Sequence, residues 1–206
     1  MNKRLKAVAS LVDGKSIIDV GCDHGYLSIY LTNNGIKCLA TDISKYCIDK
    51  AIHNFKKYNM NIDTKVTDGL NDIDTSLYDT IIISGMGTHT ILRILKDKNL
   101  TDTLIISSNN NIELLRKELT KLGYYIDNEI YILENNQKYI IIRFKKGNKD
   151  YTDLDYKIGP ILKNNKDYIN DLINEKKCII DKIPNKDDVK RIELQDIIKE
   201  LTKLSN

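Results

Sequence analysis

The stretch DVGCDHGYL, residues 19–27, decides the fold class of this chain. It follows a short β-branched run and leads into a helical pattern, which is the context of a ligand-binding loop between a strand and a helix. Gly21 lets the backbone turn tightly, and Gly25 lets it pass close to a ligand. A dinucleotide loop, G-x-G-x-x-G, would also need glycines at the positions of Asp23 and Tyr26. The sequence of the loop therefore argues against NAD as the bound cofactor.

Outward from this loop, β-branched runs alternate with amphipathic stretches as far as about Lys145. The apolar runs are continuous rather than alternating, as in strands that are buried on both faces of a parallel sheet. The predicted strands are 16–20, 37–42, 61–67, 79–85 and 103–108, and the predicted helices are 26–33, 45–58, 89–96 and 111–122. This order predicts an α/β domain with a doubly wound, mostly parallel sheet.

Two strand-like runs then follow one another, YYIDNEIYILE and QKYIIIRFKK, and Asn135 and Asn136 join them. Strands with no helix between them pair antiparallel. We therefore expect the sheet to end in an antiparallel hairpin at one edge.

The composition changes beyond about Gly147, which predicts two domains, 1–148 and 149–206. Residues 151–206 hold equal numbers of basic and acidic side chains, so the net charge of +3 lies in the first part. Apolar residues recur there at helical spacing on both sides of the turn IPNKDD, residues 183–188. The pattern predicts a C-terminal α-helical hairpin. It serves either as a packing appendage or as a substrate-binding arm.

Composition limits the classes of protein. The sequence has no run of about 18 apolar residues, the length that could span a bilayer. The first residues form too short an apolar stretch for a signal peptide. We expect a soluble, cytoplasmic protein that is a monomer. Cys22, Cys38, Cys47 and Cys178 show no CxxC spacing, and the three histidines complete no ligand set with them, so we expect neither metal nor disulfides. The nearly balanced charge permits a nucleic-acid partner without arguing for one.

Carboxylates in the loop suit S-adenosylmethionine, which has an ammonium and a sulfonium and no pyrophosphate. The positive charges of this cofactor account for Asp19 and Asp23 as ligand-facing residues. As alternatives, Asp19 could cap backbone amides of the turn, and Asp23 could be the N-cap of the following helix.

Acidic residues also end the next two predicted strands. Asp42 lies 21 positions after Gly21, where α/β nucleotide domains bind ribose hydroxyls. Its alternative role is helix N-cap, for which Ser44 is also available. Asp68 is placed to accept from the amino group of adenine, but Asp68 and Gly69 could equally form a turn.

The segment SGMG, residues 84–87, closes the fourth predicted strand. Its two glycines open space at the crevice where such sheets bind ligands. Met86 is either a core residue or a flexible apolar surface that faces this crevice.

Together these motifs resemble the TrmK family of bacterial tRNA methyltransferases, which modify N1 of the adenine at position 22. The resemblance rests on DVGCDHGYL, TDGL, SGMGTHTILRIL and RKELTKLGYYIDNEIYILENNQKY. It extends from KRLKAVASLV to YKIGPIL, which is similar to the entry into that family's C-terminal coiled-coil domain. Class I methyltransferases, with their Rossmann-like sheet, also end in a hairpin. The resemblance implies an S-adenosylmethionine-dependent tRNA (adenine-N1)-methyltransferase.

Carried over residue by residue, the resemblance and the loop chemistry predict a cofactor site. Its residues are Asp19, Gly21, Asp23, His24, Gly25, Tyr26, Asp42, Ile43, Asp68, Gly69, Ser84, Gly85 and Met86. The family usually has alanine in place of Gly25, glycine in place of Thr88, and Gln-Pro-Asn where this chain has Ser107, Ser108 and Asn109.

N1 of adenine has a free lone pair, so the enzyme needs no base and mainly positions the reactants. Asp23 and Asn109 are the predicted catalytic residues, because an acceptor for the exocyclic amine strengthens as charge develops. Tyr26 is either a stacking platform for the extruded base or a core residue. Lys3, Arg4 and Lys6 are predicted to contact tRNA phosphates.

Two other functions fit the core motifs. One is a methyltransferase for a small molecule or a protein, and the other is a non-catalytic module that binds S-adenosylmethionine or RNA.

Overall fold

A computed structural model of the chain describes residues 1–184 and 188–205. The chain divides into two compact units, Met1–Asp150 and Tyr151–Asn206. The predicted division into domains 1–148 and 149–206 stays a prediction. Among the described residues, no helix combines the length and the apolar character needed to cross a membrane.

The first unit is a seven-stranded sheet covered by helices, with the strand order β3-β2-β1-β4-β5-β7-β6. Its first five strands are parallel, and β7 pairs antiparallel with both β5 and β6. The predicted doubly wound sheet with a terminal hairpin is confirmed. Its elements are α1 (Lys3–Ser10), β1 (Ser16–Val20), α2 (Tyr26–Asn33), β2 (Lys37–Asp42), α3 (Lys45–Lys57), β3 (Asp63–Val66), β4 (Thr80–Met86), α4 (Thr88–Leu95), β5 (Thr103–Ser108), α5 (Ile112–Lys121), β6 (Tyr124–Glu134) and β7 (Gln137–Lys146).

The three central strands β1, β4 and β5 carry the core, because their isoleucines are buried on both faces of the sheet. Here the continuous apolar runs predicted strands β1 and β5 to the residue. Strand β3 is shorter than predicted, since it lies at the sheet edge and only Asp63–Val66 pair with β2. Strand order reverses between β1 and β4, so the carboxyl ends of these strands flank the crevice of the sheet.

The hairpin β6–β7 turns at Asn135 and Asn136, whose φ angles of 50° and 60° are left-handed. Asparagine tolerates this conformation, which a two-residue hairpin turn requires. Strand β6 also receives a buried ion pair, because Arg116 of α5 donates through Nε to Glu129 Oε1 at 2.8 Å.

The described residues of the second unit form three α-helices: α6 (Asp153–Ile158), α7 (Lys166–Ile180) and α8 (Val189–Ser205). Helices α7 and α8 pack on each other, and Arg191 donates to the carbonyl oxygens of Ile180 and Ile183. The predicted C-terminal helical hairpin is confirmed, but α6 was not predicted as a separate helix. It ends at Gly159, whose φ of 108° stops the helix. The predicted turn 183–188 includes residues 185–187, which lie outside the described residues.

Candidate functional site

The glycine loop leaves β1 in a tight turn that is tied to the neighbouring strand. The amides of Gly21 and Cys22 both donate to the Thr41 carbonyl oxygen, at 2.8 and 2.9 Å. Both Gly21 and Gly25 have left-handed φ angles, of 77° and 72°. A Cβ at Gly21 would lie 2.4 Å from the Met86 Cε atom. The loop therefore needs glycine at Gly21 for its backbone and for its close approach to β4.

Asp19 is the penultimate residue of β1, below the loop, and its carboxylate is buried in the protein. Its Oδ2 accepts from Ser28 Oγ at 2.7 Å, so the alternative in which it caps the turn amides is wrong. Burial raises the pKa of Asp19 to about 6; the Ser28 hydrogen bond opposes this shift, and the nearby Asp42 charge adds to it. The result is a carboxylate that has no cation to balance it within the loop.

Asp23, in contrast, is exposed at the tip of the loop, with a left-handed φ of 50°. Its Oδ1 lies 3.4 Å from His24 Nδ1 and 3.9 Å from Cys47 Sγ. Helix α2 begins after Gly25, which is its N-cap, without a side-chain hydrogen bond. The alternative in which Asp23 caps this helix is therefore wrong, and its carboxylate is available to a ligand.

Asp42 ends β2 and fixes the tip of the glycine loop. Its Oδ2 accepts from the Asp23 amide at 3.2 Å, and its Oδ1 accepts from the Ser44 amide at 2.9 Å. The N-cap of α3 is Ser44, whose hydroxyl accepts from the Cys47 amide. The capping alternative for Asp42 is thus wrong. Each carboxylate oxygen keeps a lone pair for one more donor.

A crevice of about 330 Å³ opens at the carboxyl ends of β1, β2 and β4. The structure brings most of the predicted cofactor residues together around it. Its lining includes Asp19, Gly21, Asp23, His24, Tyr26, Asp42, Ser84, Gly85 and Met86.

Arg4 of α1 also lines this crevice, which separates it from Lys3 and Lys6. Its guanidinium carbon lies 5.2 Å from the centre of the Tyr139 ring, and Nη1 lies 3.2 Å from the position of a Cβ at Gly85. The sequence analysis assigned Arg4, together with the two lysines, to contacts with tRNA phosphates. The available signal was its place four residues before the buried Val8, hence on the same face of α1.

A smaller cavity of about 180 Å³ adjoins the crevice and shares Gly21, Asp42 and Met86 with it. Met86 is half-buried between the two, so it faces the crevice rather than only the core. The other predicted residues that line this cavity are Ile43, Asp68 and Gly69.

Asp68 and Gly69 form a turn at the rim of this smaller cavity. Gly69 has a φ of 63°, and the Asp68 carbonyl oxygen accepts from the Asn71 amide at 3.3 Å. Both carboxylate oxygens of Asp68 accept from Arg93 of α4, at 3.1 and 3.2 Å. Arg93 lowers the pKa of Asp68, which keeps this carboxylate ionised. Sequence reasoning did not single out Arg93.

The turn after β5 is tied to the turn after β4. Asn109 donates through its backbone amide to the Met86 carbonyl oxygen at 2.9 Å. Its side-chain Nδ2 donates to the Gly85 carbonyl oxygen at 2.8 Å. Thr88 Oγ1 lies 2.8 Å from Ser108 Oγ. Two of the positions that depart from the TrmK pattern therefore contact each other. Both of these side chains are buried, so they shape the turn from beneath.

Tyr26 begins α2 and is 46% exposed. Its ring meets the His24 ring edge-on, with the centroids 6.2 Å apart. The alternative in which Tyr26 packs in the core is therefore wrong.

Among residues 1–184 and 188–205, no group of three or more histidine, cysteine, aspartate or glutamate side chains is placed to hold a metal ion.

This arrangement of sheet, glycine loop and acidic strand ends defines a class I methyltransferase domain. The profile of a methyltransferase domain family matches residues 1–142. The chain belongs to this family and, within it, to the TrmK family of tRNA methyltransferases.

Three similar proteins support membership of the TrmK family. MG248 of Mycoplasma genitalium, a protein assigned by name as a tRNA methyltransferase, is 33% identical over 177 residues, which cover 81% of each chain. The structure of M. capricolum TrmK in complex with the cofactor product S-adenosylhomocysteine has a TM-score of 0.83 and 29% identity, over 98% of this chain and 96% of that one. The m1A22 tRNA methyltransferase TrmK of B. subtilis has a TM-score of 0.82 and 26% identity, over 100% and 99%.

Proposed function

We propose that this protein transfers the methyl group of S-adenosylmethionine to N1 of the adenine at position 22 of tRNA. The observation that carries the proposal is the crevice itself, where Asp19, Asp42 and Arg4 surround one cavity and the exposed Asp23 lies at its mouth. The relationship to TrmK supports the same substrate. Because tRNA is the proposed substrate, we propose that the protein acts in the cytoplasm. We also propose that it acts as a monomer.

The charges of the crevice fit the amino-acid end of S-adenosylmethionine. That end carries an ammonium and a carboxylate, and the crevice offers the unbalanced Asp19 carboxylate and the Arg4 guanidinium. Ser84 Oγ is buried in the same lining and has no hydrogen-bond partner among the described residues. An orphaned hydroxyl at this position is a further polar group for the ligand.

The nucleoside end fits the other half of the site. Asp42 has lone pairs for the two ribose hydroxyls, and the exposed Ile43 offers an apolar surface to the face of the adenine. The Asp68 carboxylate, which Arg93 holds by two hydrogen bonds, can accept from the adenine amino group. The Gly21 turn lets the backbone approach the ligand where any side chain would meet Met86.

When bound, S-adenosylmethionine supplies a methyl group that is activated by a positively charged sulfur. The residues of the chain hold N1 of the substrate adenine in line with that methyl group, an effect that supplies about 7–11 kcal/mol in well-oriented reactions. The Asp23 carboxylate and the side-chain amide oxygen of Asn109 accept hydrogen bonds from the exocyclic amine of the substrate adenine. These hydrogen bonds strengthen as methylation makes the base cationic. No proton leaves N1 before the attack, so no general base is required.

N1 lies on the Watson–Crick edge, so a paired adenine has to leave the helix of the tRNA before it reacts. Tyr26 at the mouth of the crevice presents an exposed ring on which the extruded base can stack. Lys3 and Lys6 are exposed on α1 and remain the proposed phosphate contacts of this helix.

The test is transfer of tritiated methyl groups to unmodified tRNA transcripts, followed by mass spectrometry of the modified position. A matched transcript with guanine in place of adenine 22 is the control. We expect 1-methyladenosine at that position alone and no incorporation into the control transcript. Incorporation at another base, or none with S-adenosylhomocysteine still bound, would contradict the proposed substrate while leaving the cofactor assignment intact.

A further inference from the structure

Besides the crevice and the smaller cavity that adjoins it, a cavity of about 430 Å³ lies between the glycine loop and helix α3; we call it the second cavity. His24 and Tyr26 contribute one wall, and α3 contributes the other through Tyr46, Asp49, Lys50, His53 and Asn54. His24 and Tyr26 also line the crevice described above. The two cavities therefore share a wall that is only the loop and the start of α2.

The lining of this second cavity combines aromatic faces with a positive charge. Tyr26 is 46% exposed and Tyr46 is 66% exposed, so both rings are open to the cavity that they line. Lys50 Nζ lies 4.4 Å from the centre of the Tyr46 ring. Exposed rings with a nearby cation are the means by which proteins bind the bases of unpaired RNA.

Helix α3 also carries the charge that a phosphate chain needs. It contains four lysines and one aspartate, all of them exposed. Lys45 pairs with Asp49 at 3.0 Å and so neutralises the acid. Lys50, Lys56 and Lys57 then leave an excess of positive charge along one helix.

The wall between the two cavities is held in place by α3. Asn54 Nδ2 donates to the His24 carbonyl oxygen at 2.9 Å. A Cβ at Gly25 would lie 2.4 Å from Phe55 Cε1, so the loop packs directly on the helix. The distance between the two cavities is therefore fixed before a substrate arrives.

We propose that the second cavity binds the base of the nucleotide next to the target adenine, with that base stacked on Tyr46 and its phosphate near Lys50. This inference rests on the proposed tRNA substrate. Because the cavities share one wall, a strand that places its adenine in the crevice brings its neighbour to this cavity. Binding that neighbour stabilises the extruded conformation of the target adenine.

The first experiment compares Tyr46→Ala with Tyr46→Phe in methyl transfer to tRNA. Loss of one base stack lowers kcat/KM about tenfold in Tyr46→Ala, whereas Tyr46→Phe keeps the ring and stays near the wild type. Tyr58→Ala is the matched control, since Tyr58 is 52% exposed at the end of the same helix but does not line the cavity. We expect no change in that variant, and calorimetry with S-adenosylhomocysteine should give the same affinity in all four proteins.

The second experiment places an abasic nucleotide on either side of the target adenine. With the wild type, one of the two transcripts should lose about the same factor as Tyr46→Ala, and in Tyr46→Ala that transcript should lose nothing further. Additive losses, or a Tyr46→Ala variant as active as the wild type, would overturn this inference and leave the proposed function standing. A wild type that methylates no tRNA would overturn both.

Discussion

Charged side chains enter the interior of the first unit at two places, and the two are arranged in opposite ways. Between α5 and β6, Arg116 and Glu129 are fully buried and meet at 2.8 Å. Below the glycine loop, Asp19 is equally enclosed, but its partner is the neutral Ser28 hydroxyl, and the nearest charge that affects it is another acid, Asp42. One buried charge is balanced within the chain, and the other is left without a cation.

The difference separates structure from function. A buried ion pair that is complete in the chain holds two elements together and offers nothing to a ligand. A buried carboxylate without a cation is held at a cost in free energy, which a cationic ligand can offset. We therefore expect loss of Glu129 to affect stability alone and changes around Asp19 to affect cofactor binding.

The largest effect is expected from Glu129→Ala, which leaves Arg116 buried without its carboxylate. Breaking such a pair from one side costs about 3–5 kcal/mol of unfolding free energy, measured by urea unfolding. Glu113→Ala is the control on α5, the helix that carries Arg116, because Glu113 pairs with Lys117 at 2.7 Å where both side chains are partly exposed; that loss should stay below about 1 kcal/mol. Equal losses in the two variants would show that burial does not distinguish these pairs.

Asp23→Asn should come next, with kcat for methyl transfer about 100-fold lower and the fold retained. Asparagine tolerates the left-handed backbone at Asp23 and removes only the charge. Single-turnover rates measure the effect, and unfolding midpoints check the fold. Unaltered transfer would remove Asp23 from the mechanism.

Arg4→Gln should weaken binding of S-adenosylhomocysteine about tenfold, because the ligand carboxylate loses a charge-assisted partner. Calorimetry with 5′-methylthioadenosine, which lacks the amino-acid end, should show the same affinity in variant and wild type. Lys6→Gln is the control, since Lys6 lies on the same helix but is exposed. An equal loss for both ligands would place Arg4 outside the carboxylate site.

The smallest effect is a dependence of cofactor affinity on pH. The raised pKa of Asp19, about 6, means that the free protein holds a proton there at lower pH. The ligand ammonium pairs with the ionised form, so the proton must leave first. Affinity for S-adenosylhomocysteine should be constant above this pKa and fall about tenfold for each pH unit below it. In Asp19→Asn the profile should be flat, and a flat profile in the wild type would refute the ammonium assignment.

The same raised pKa also affects the free protein, where the sign is opposite to that of an ordinary ion-paired acid. Its contribution to stability is complete below the unfolded value of 3.8 and is lost as pH rises through about 6.

Sequence patterns predicted the sheet well, because β1 and β5 are buried on both faces and their apolar runs are continuous. Asp19 and Asp42, each predicted as a cofactor residue, line one crevice, since the carboxyl ends of adjacent parallel strands share one edge. The place of Arg4 was missed: its spacing from the buried Val8 gives its face of α1, but its contact with the Tyr139 ring depends on a strand far along the chain. The exposure of Tyr46 was equally hidden, since an amphipathic pattern gives the buried face and says nothing of cavities on the other face.

The attachment of α1 has a consequence for how the protein is made. This first helix is held by the last strands of its sheet: Glu134 accepts from the Lys3 amide, 131 positions away, and Arg143 donates to the Leu11 carbonyl oxygen, 132 positions away. A ribosome delivers α1 first and these partners last. The growing chain therefore holds its glycine loop long before Arg4 has a fixed place beside it. We expect tight cofactor binding only once synthesis has passed β7, so that the bound cofactor stabilises only finished domains.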